Sequence, residues 1–173
     1  LAIGGSVRSI KDFEFLLSNG ADKIIINSIV YDDLNLITKA SKIFGTQCIV
    51  VSIDFIQNDK GFFVVNKDKK IKVEITNYIK KLIDLGAGEI MLTDINRDGT
   101  NKGLNINVAK KISEISSVPI IFSGGCSFAD DFIKCFNQTK TDAIAAGNFF
   151  CFKDQNLLET RSQILNSGIN IRI

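Results

Sequence analysis

The chain has 173 residues, 45% of them hydrophobic, with 21 basic and 19 acidic side chains and a net charge of +2. That is enough apolar material for one domain to bury a core. The charge is too balanced for a general affinity for nucleic acid or an acidic membrane surface, and no apolar run approaches the roughly 20 residues of a bilayer-spanning helix.

Leu1 already lies inside an apolar run, and "LAIGG" reads as a strand under way. The natural chain is therefore expected to begin upstream, and no signal peptide is read. Strand-like runs follow in order: "LAI" (1–3), "KIIIN" (23–27), "CIVVSID" (48–54), "EIMLTDI" (89–95), "VPIIFS" (118–123) and "DAIAAG" (142–147). Most are apolar without alternation, as in strands buried on both faces. Helical patterns lie between and after them, at about 9–19, 32–44, 73–85, 105–116, 127–138 and 155–166. Asp32 is read as a start signal, and Gly20, Gly45, Gly86 and Gly168 stand where helices should stop. The turn signal "NDKG" lies inside 55–73, which reads as a hairpin inserted after the third strand. Strand–helix units joined this way give an α/β fold with a parallel sheet covered by helices.

"IGGS" (3–6) and "SGGC" (123–126) repeat the same landmark. Gly4 and Gly124 are 120 residues apart (124 − 4), and so are Asp22 and Asp142 (142 − 22). Each half reads strand, Gly-Gly turn, helix, Asp, strand, then a small or polar pair, Asn27-Ser28 or Gly147-Asn148. A period this long is no solenoid; it points to two halves of one closed β/α array. Two more units would bring the chain to the roughly 250 residues of a (β/α)8 TIM-type barrel. The reading is one domain over 1–173, the last six units of such a barrel.

In that fold the active site lies at the carboxyl ends of the strands. Glycine there lets backbone approach a ligand, and its free amides suit a phosphate. A lone Gly-Gly is no more than a tight turn; two in register predict two phosphate sites on opposite sides of the mouth. Asp98-Gly99-Thr100, in "TDINRDGTNKG", adds a turn with amides and a hydroxyl beside the second site. Asp54 ends "CIVVSID", a run apolar enough for a central strand, and is the candidate acid–base group, with partial burial expected to raise its pKa. The chain has no histidine, so proton transfer falls to Asp, Glu, Lys, Tyr, Cys or the ligand. Cys48, Cys126, Cys135 and Cys151 show no C-x-x-C spacing, which fits unpaired thiols in a reduced, cytoplasmic setting.

Taken together, "IGGSVRSIKDFEFLLSNGADKIIINS", "FGTQCIVVSID", "LGAGEIMLTDINRDGTNKG", "PIIFSGG", "DAIAAGNFFCF" and "GINIRI" resemble the cyclase subunits of imidazole glycerol phosphate synthase, from histidine biosynthesis. The resemblance implies a (β/α)8 barrel that takes ammonia from a glutaminase partner. It would close the imidazole ring of a bisphosphorylated, ribulose-bearing aminoimidazole precursor, a cyclase or lyase step, with no metal or organic cofactor. Of the two aspartates that act as acid and base in the family, Asp54 matches the one on the fifth strand, and the other would lie before Leu1. One phosphate matches Gly5, Ser6, Asn27 and Ser28; the other matches Asp98, Gly99, Gly125, Gly147 and Asn148. Thr93 and Ser123 fall at positions that face the ligand. Lys23 and Glu89 match members of a charged ring that gates ammonia entry at the opposite face.

The family usually has a third glycine at Ser6, Asp at Asn96, Ala at Cys126 and Ala-Ser at Gly147-Asn148. "AAGNFF" also resembles paralogues that serve amidino-sugar synthesis for surface glycans, and "TDI" leans towards the related isomerase of the same pathway. Those two, with an inactive phosphate-binding barrel fragment, are the alternatives.

Overall fold

A computed structural model describes residues 1–66, 73–151 and 156–172. Strands and helices alternate: β1 (Ala2–Gly4), α1 (Ile10–Ser18), β2 (Lys23–Ile26), α2 (Ile29–Asp32), α3 (Asn35–Phe44), β3 (Ile49–Asn58), β4 (Gly61–Val65), β5 (Val73–Glu74), α4 (Ile75–Asp84), β6 (Glu89–Asp94), α5 (Ile106–Ile115), β7 (Ile120–Ser123), α6 (Ala129–Gln138), β8 (Ala143–Ala145), α7 (Asn148–Cys151) and α8 (Leu157–Asn166). The main sheet runs β1-β2-β3-β6-β7-β8, every neighbouring pair parallel. It curls as part of a (β/α)8 barrel. Among the described residues β1 and β8 are its two edges.

The core lies between sheet and helices. Ile24, Ile26, Ile49, Val51, Ile53, Phe55, Ile90, Leu92, Ile120 and Phe122 are buried against Phe13, Ile37, Ile79, Leu82, Val108, Ile112 and Phe132. Each such side chain stabilises the fold by about 1.5–3 kcal/mol. The other face of the strands differs from expectation. In β2 and β6 burial alternates: Lys23, Ile25, Glu89, Met91 and Thr93 are half-buried, and Ile24, Ile26, Ile90, Leu92 and Asp94 are buried. β3, which lies between them, is buried on both faces from Ile49 to Ile53, so the inner face is closed at the centre of the sheet and partly open on either side of it.

Local signals explain the helix ends. Ser9 and Asp12 form a capping box at α1, in which Asp12 accepts the Ser9 amide at 2.8 Å. Gly20, Gly45, Gly86 and Gly168 all take positive φ past helix ends. Asp32 is not a helix start. It closes the short α2, and Asp33 Oδ1 instead accepts the Asn35 amide at 2.9 Å to open α3. After Asp54, β3 runs on to Asn58 and pairs antiparallel with β4, which pairs in turn with β5. Residues 67–72 of the expected 55–73 hairpin, and Gln155 and Ile173 at the C-terminal end, lie outside the described residues.

The half repeat is a structural equivalence. The Asp22 amide donates to Leu1 O at 2.8 Å, and the Asp142 amide donates to Ile120 O at 3.0 Å. The glycine turns are offset, however. In the first, Gly5 (φ 112) and Ser6 (φ 54) are left-handed; in the second, Gly124 (φ 102) and Gly125 (φ 96) are.

Candidate functional site

Among the described residues, two separate pockets at the carboxyl ends of the strands gather the candidate residues. The first is lined by Gly5, Ser6, Asn27 and Ser28, from the ends of β1 and β2, with Ser52 and Met91 as its floor. The second gathers Asp98, Gly99, Ser123, Gly125, Gly147 and Asn148, together with Asn101 and Cys126. Thus both expected phosphate groupings come together, each in its own pocket.

Asp54 and Thr93 lie between them. Parallel register aligns Asp54, Thr93, Ser123 and Ala145 across β3, β6, β7 and β8, one row of the inner face. Asn27 Nδ2 reaches Asp54 Oδ2 at 3.5 Å, so the first pocket touches the carboxylate directly. Lys23 and Glu89 are at the opposite ends of their strands and form an ion pair with each other, spanning β3.

The second pocket depends on close backbone packing. A Cβ on Gly124 would lie 2.6 Å from Asp94 O, and one on Gly125 would lie 2.6 Å from Gly103 O. No larger residue lets the 124–126 turn sit against the loop after β6. Gly5, by contrast, meets nothing within 4 Å and is glycine for its φ alone. The Thr100 hydroxyl donates to Arg97 O at 2.7 Å, so it serves the turn itself.

Sequence reading missed Tyr31. Its hydroxyl donates to Val65 O at 3.1 Å, the residue paired with Asp54 across the hairpin. Burial pushes the Tyr31 phenol far above its ordinary value, and the nearby Asp54 charge adds to this. Tyr31 therefore stays protonated and stacks on Tyr78, which burial pushes up to about 12. The only sequence signal was its being one of two tyrosines in a chain without histidine. Of the four cysteines, Cys48, Cys126 and Cys135 are buried and Cys151 is exposed. Among the described residues no helix is long and apolar enough to cross a membrane.

A curled parallel sheet with glycine-lined pockets at the carboxyl ends of its strands defines a protein of the (β/α)-barrel class. Comparison with known proteins narrows this. The family profile "Histidine biosynthesis protein" matches residues 1–155. Imidazole glycerol phosphate synthase subunit HisF of Bacillus cereus (strain Q1) is 36% identical over 176 residues, covering 100% of this chain and 70% of that protein. The subunit of the same name from Lactococcus lactis subsp. cremoris (strain SK11) is 34% identical, covering 100% and 68%. That from Metallosphaera sedula is 35% identical, covering 99% and 69%. The chain belongs to the histidine biosynthesis protein family.

Proposed function

We propose that this chain is the cyclase part of an imidazole glycerol phosphate synthase, acting on a bisphosphorylated aminoimidazole precursor with ammonia from a glutaminase partner. The observation that carries this reading is the place of Asp54: on the inner face, between two glycine-lined pockets at the same end of the sheet. A long substrate with a phosphate at each end would lay its reacting middle over that carboxylate. The pocket amides would hold the phosphates, since backbone N–H groups in left-handed turns donate to anions. Asp54 would move protons between the incoming nitrogen and the ring that forms, the chemistry for which a chain without histidine has few other candidates. Thr93 and Ser123, in the same row, would orient the substrate hydroxyls. The Lys23–Glu89 pair would control ammonia entry from the opposite end, where a glutaminase would dock. A cytoplasmic setting follows from that pathway.

The test is Asp54→Asn in the full-length protein, with ammonium salt as nitrogen source. Single-turnover rate should fall by at least the roughly 100-fold typical of lost acid–base catalysis. The substrate dissociation constant should change little, because both pockets are intact. Near-normal turnover would make Asp54 structural; joint loss of rate and binding would make it a ligand anchor. If the wild type does not turn over this precursor but accepts an amidino-sugar precursor, the reading gives way to that paralogue.

A further inference from the structure

The loop after β6 carries Asp98 and Gly99 into the second pocket, and one buried carboxylate holds its shape. Asp94 is 1% exposed. Its Oδ1 accepts the Asn96 amide at 3.0 Å, and its Oδ2 accepts Asn105 Nδ2 at 3.1 Å. Arg97 Nε lies 3.8 Å from the same Oδ2. Asn105 Nδ2 also reaches Gln57 Oε1 at 3.1 Å, and the Gln57 amide donates to Asn96 Oδ1 at 3.2 Å. Asp94, Asn96, Gln57 and Asn105 thus close a ring that joins the loop to the hairpin arm of β3, three residues beyond Asp54 (57 − 54).

The main chain tightens the same knot. Asp94 O accepts the amides of Asp98 at 2.8 Å and Arg97 at 3.1 Å. Arg97 Nη1 donates to Lys102 O at 3.2 Å and Gly103 O at 3.1 Å, and the Gly103 amide donates to Gly125 O at 2.8 Å. Burying a carboxylate is unfavourable unless every partner is in place. Here the carboxylate's partners, Asn96, Arg97 and Asn105, come from the loop and its far end, and Gln57 of the hairpin reaches them through Asn96 and Asn105.

We propose that Asp94 is a positioning residue for the phosphate-binding loop. It sets Asp98 and Gly99 opposite Gly125 and Asn148, and through Asn105 and Gln57 it locks that loop to the hairpin beside Asp54. This rests on the second pocket taking a phosphate group, as in the reading above.

The test uses the full-length protein and two probes, inorganic phosphate and the substrate. Asp94→Asn keeps the shape but places an amide where a charged acceptor stood. A lost hydrogen bond to a charged group predicts a roughly tenfold weaker phosphate dissociation constant. KM should rise by a similar factor, with kcat held within about threefold. The exchange variant Asp94→Asn with Asn105→Asp restores a complementary amide–carboxylate pair, with the exposed Gln57 side-chain amide turned to donate to the new carboxylate, and should recover most of the affinity. Values for Asp94→Asn within twofold of wild type, or an exchange variant no better than it, would overturn the proposal. Should Asp94→Asn fail to fold, Gln57→Ala probes the ring from its exposed end. It should weaken phosphate binding roughly threefold, as for one neutral hydrogen bond, and an unchanged affinity would overturn the proposal. The phosphate arm needs no turnover, so it reads Asp94 even if the substrate assignment fails.

Discussion

Gly124→Ala adds one methyl group where the second glycine turn packs against the backbone of β6. The new Cβ would lie 2.6 Å from Asp94 O, 3.0 Å from Asp94 N and 3.2 Å from Asp94 C, all backbone atoms that cannot swing aside. The residue also keeps φ at +102. Holding an L residue there costs about 1–3 kcal/mol, and forcing a methyl into packed backbone adds about 1–3 kcal/mol. Gly5→Ala is the internal control. Its φ is +112 but nothing lies within 4 Å of its Cβ, so only the backbone cost applies. Urea unfolding of the two full-length variants should show Gly124→Ala less stable than Gly5→Ala by at least about 1 kcal/mol, read from the midpoint at unchanged slope. Equal losses would mean that the 124–126 turn does not press on the end of β6, and the account of the second pocket would fail with it.

Ser6 holds φ 54 without being glycine. Ser6→Gly should stabilise the protein by about 0.5–1 kcal/mol, because relief of left-handed strain exceeds the added freedom of the unfolded chain; a lower melting temperature would refute this. Lys23→Glu puts two like charges at the amino ends of β2 and β6 in place of the ion pair. With a glutaminase present, it should lower glutamine-dependent turnover more than turnover on ammonium salt, and equal losses would remove the entry role. Burial pushes the Cys48 and Cys135 thiols up, whereas Cys151 is exposed. In a thiol-reagent assay near pH 8 Cys151 should react first, with Cys48 and Cys135 reacting only in denaturant; fast labelling of either in the native protein would contradict their burial.

The alternation of strand and helix was legible because most strands are short apolar runs and α1, α3, α4 and α8 each run out at a glycine, Gly20, Gly45, Gly86 and Gly168. The break between α2 and α3 was not. Leu34, Ile37 and Ala40 keep helical spacing across it, and only the Asp33 side-chain contact to the Asn35 amide reveals a fresh start. The membership of the two pockets was legible from the repeated Gly-Gly landmarks. The slip of one residue between the turns was not, since Gly4 and Gly124 look alike in sequence and differ only in φ. Nor could sequence show the ring around Asp94. Gln57 and Asn105 are 48 residues apart and meet only because β3 and β6 are neighbours in the sheet.

The equivalence of Asp22 and Asp142 has a kinetic meaning. Each aspartate's amide binds a carbonyl at the start of the preceding strand, 21 residues back for Asp22 (22 − 1) and 22 for Asp142 (142 − 120). Closing so short a segment costs little chain entropy, and contacts local in sequence form early. Each strand–helix–strand module can therefore fasten its own ends before the modules find one another. The Lys23–Glu89 pair spans 66 residues and the Gln57–Asn105 contact 48, so both wait for the modules to dock. These separations predict an order of assembly that runs from the latches outward, with the hairpin-to-loop junction beside Asp54 among the last parts to form.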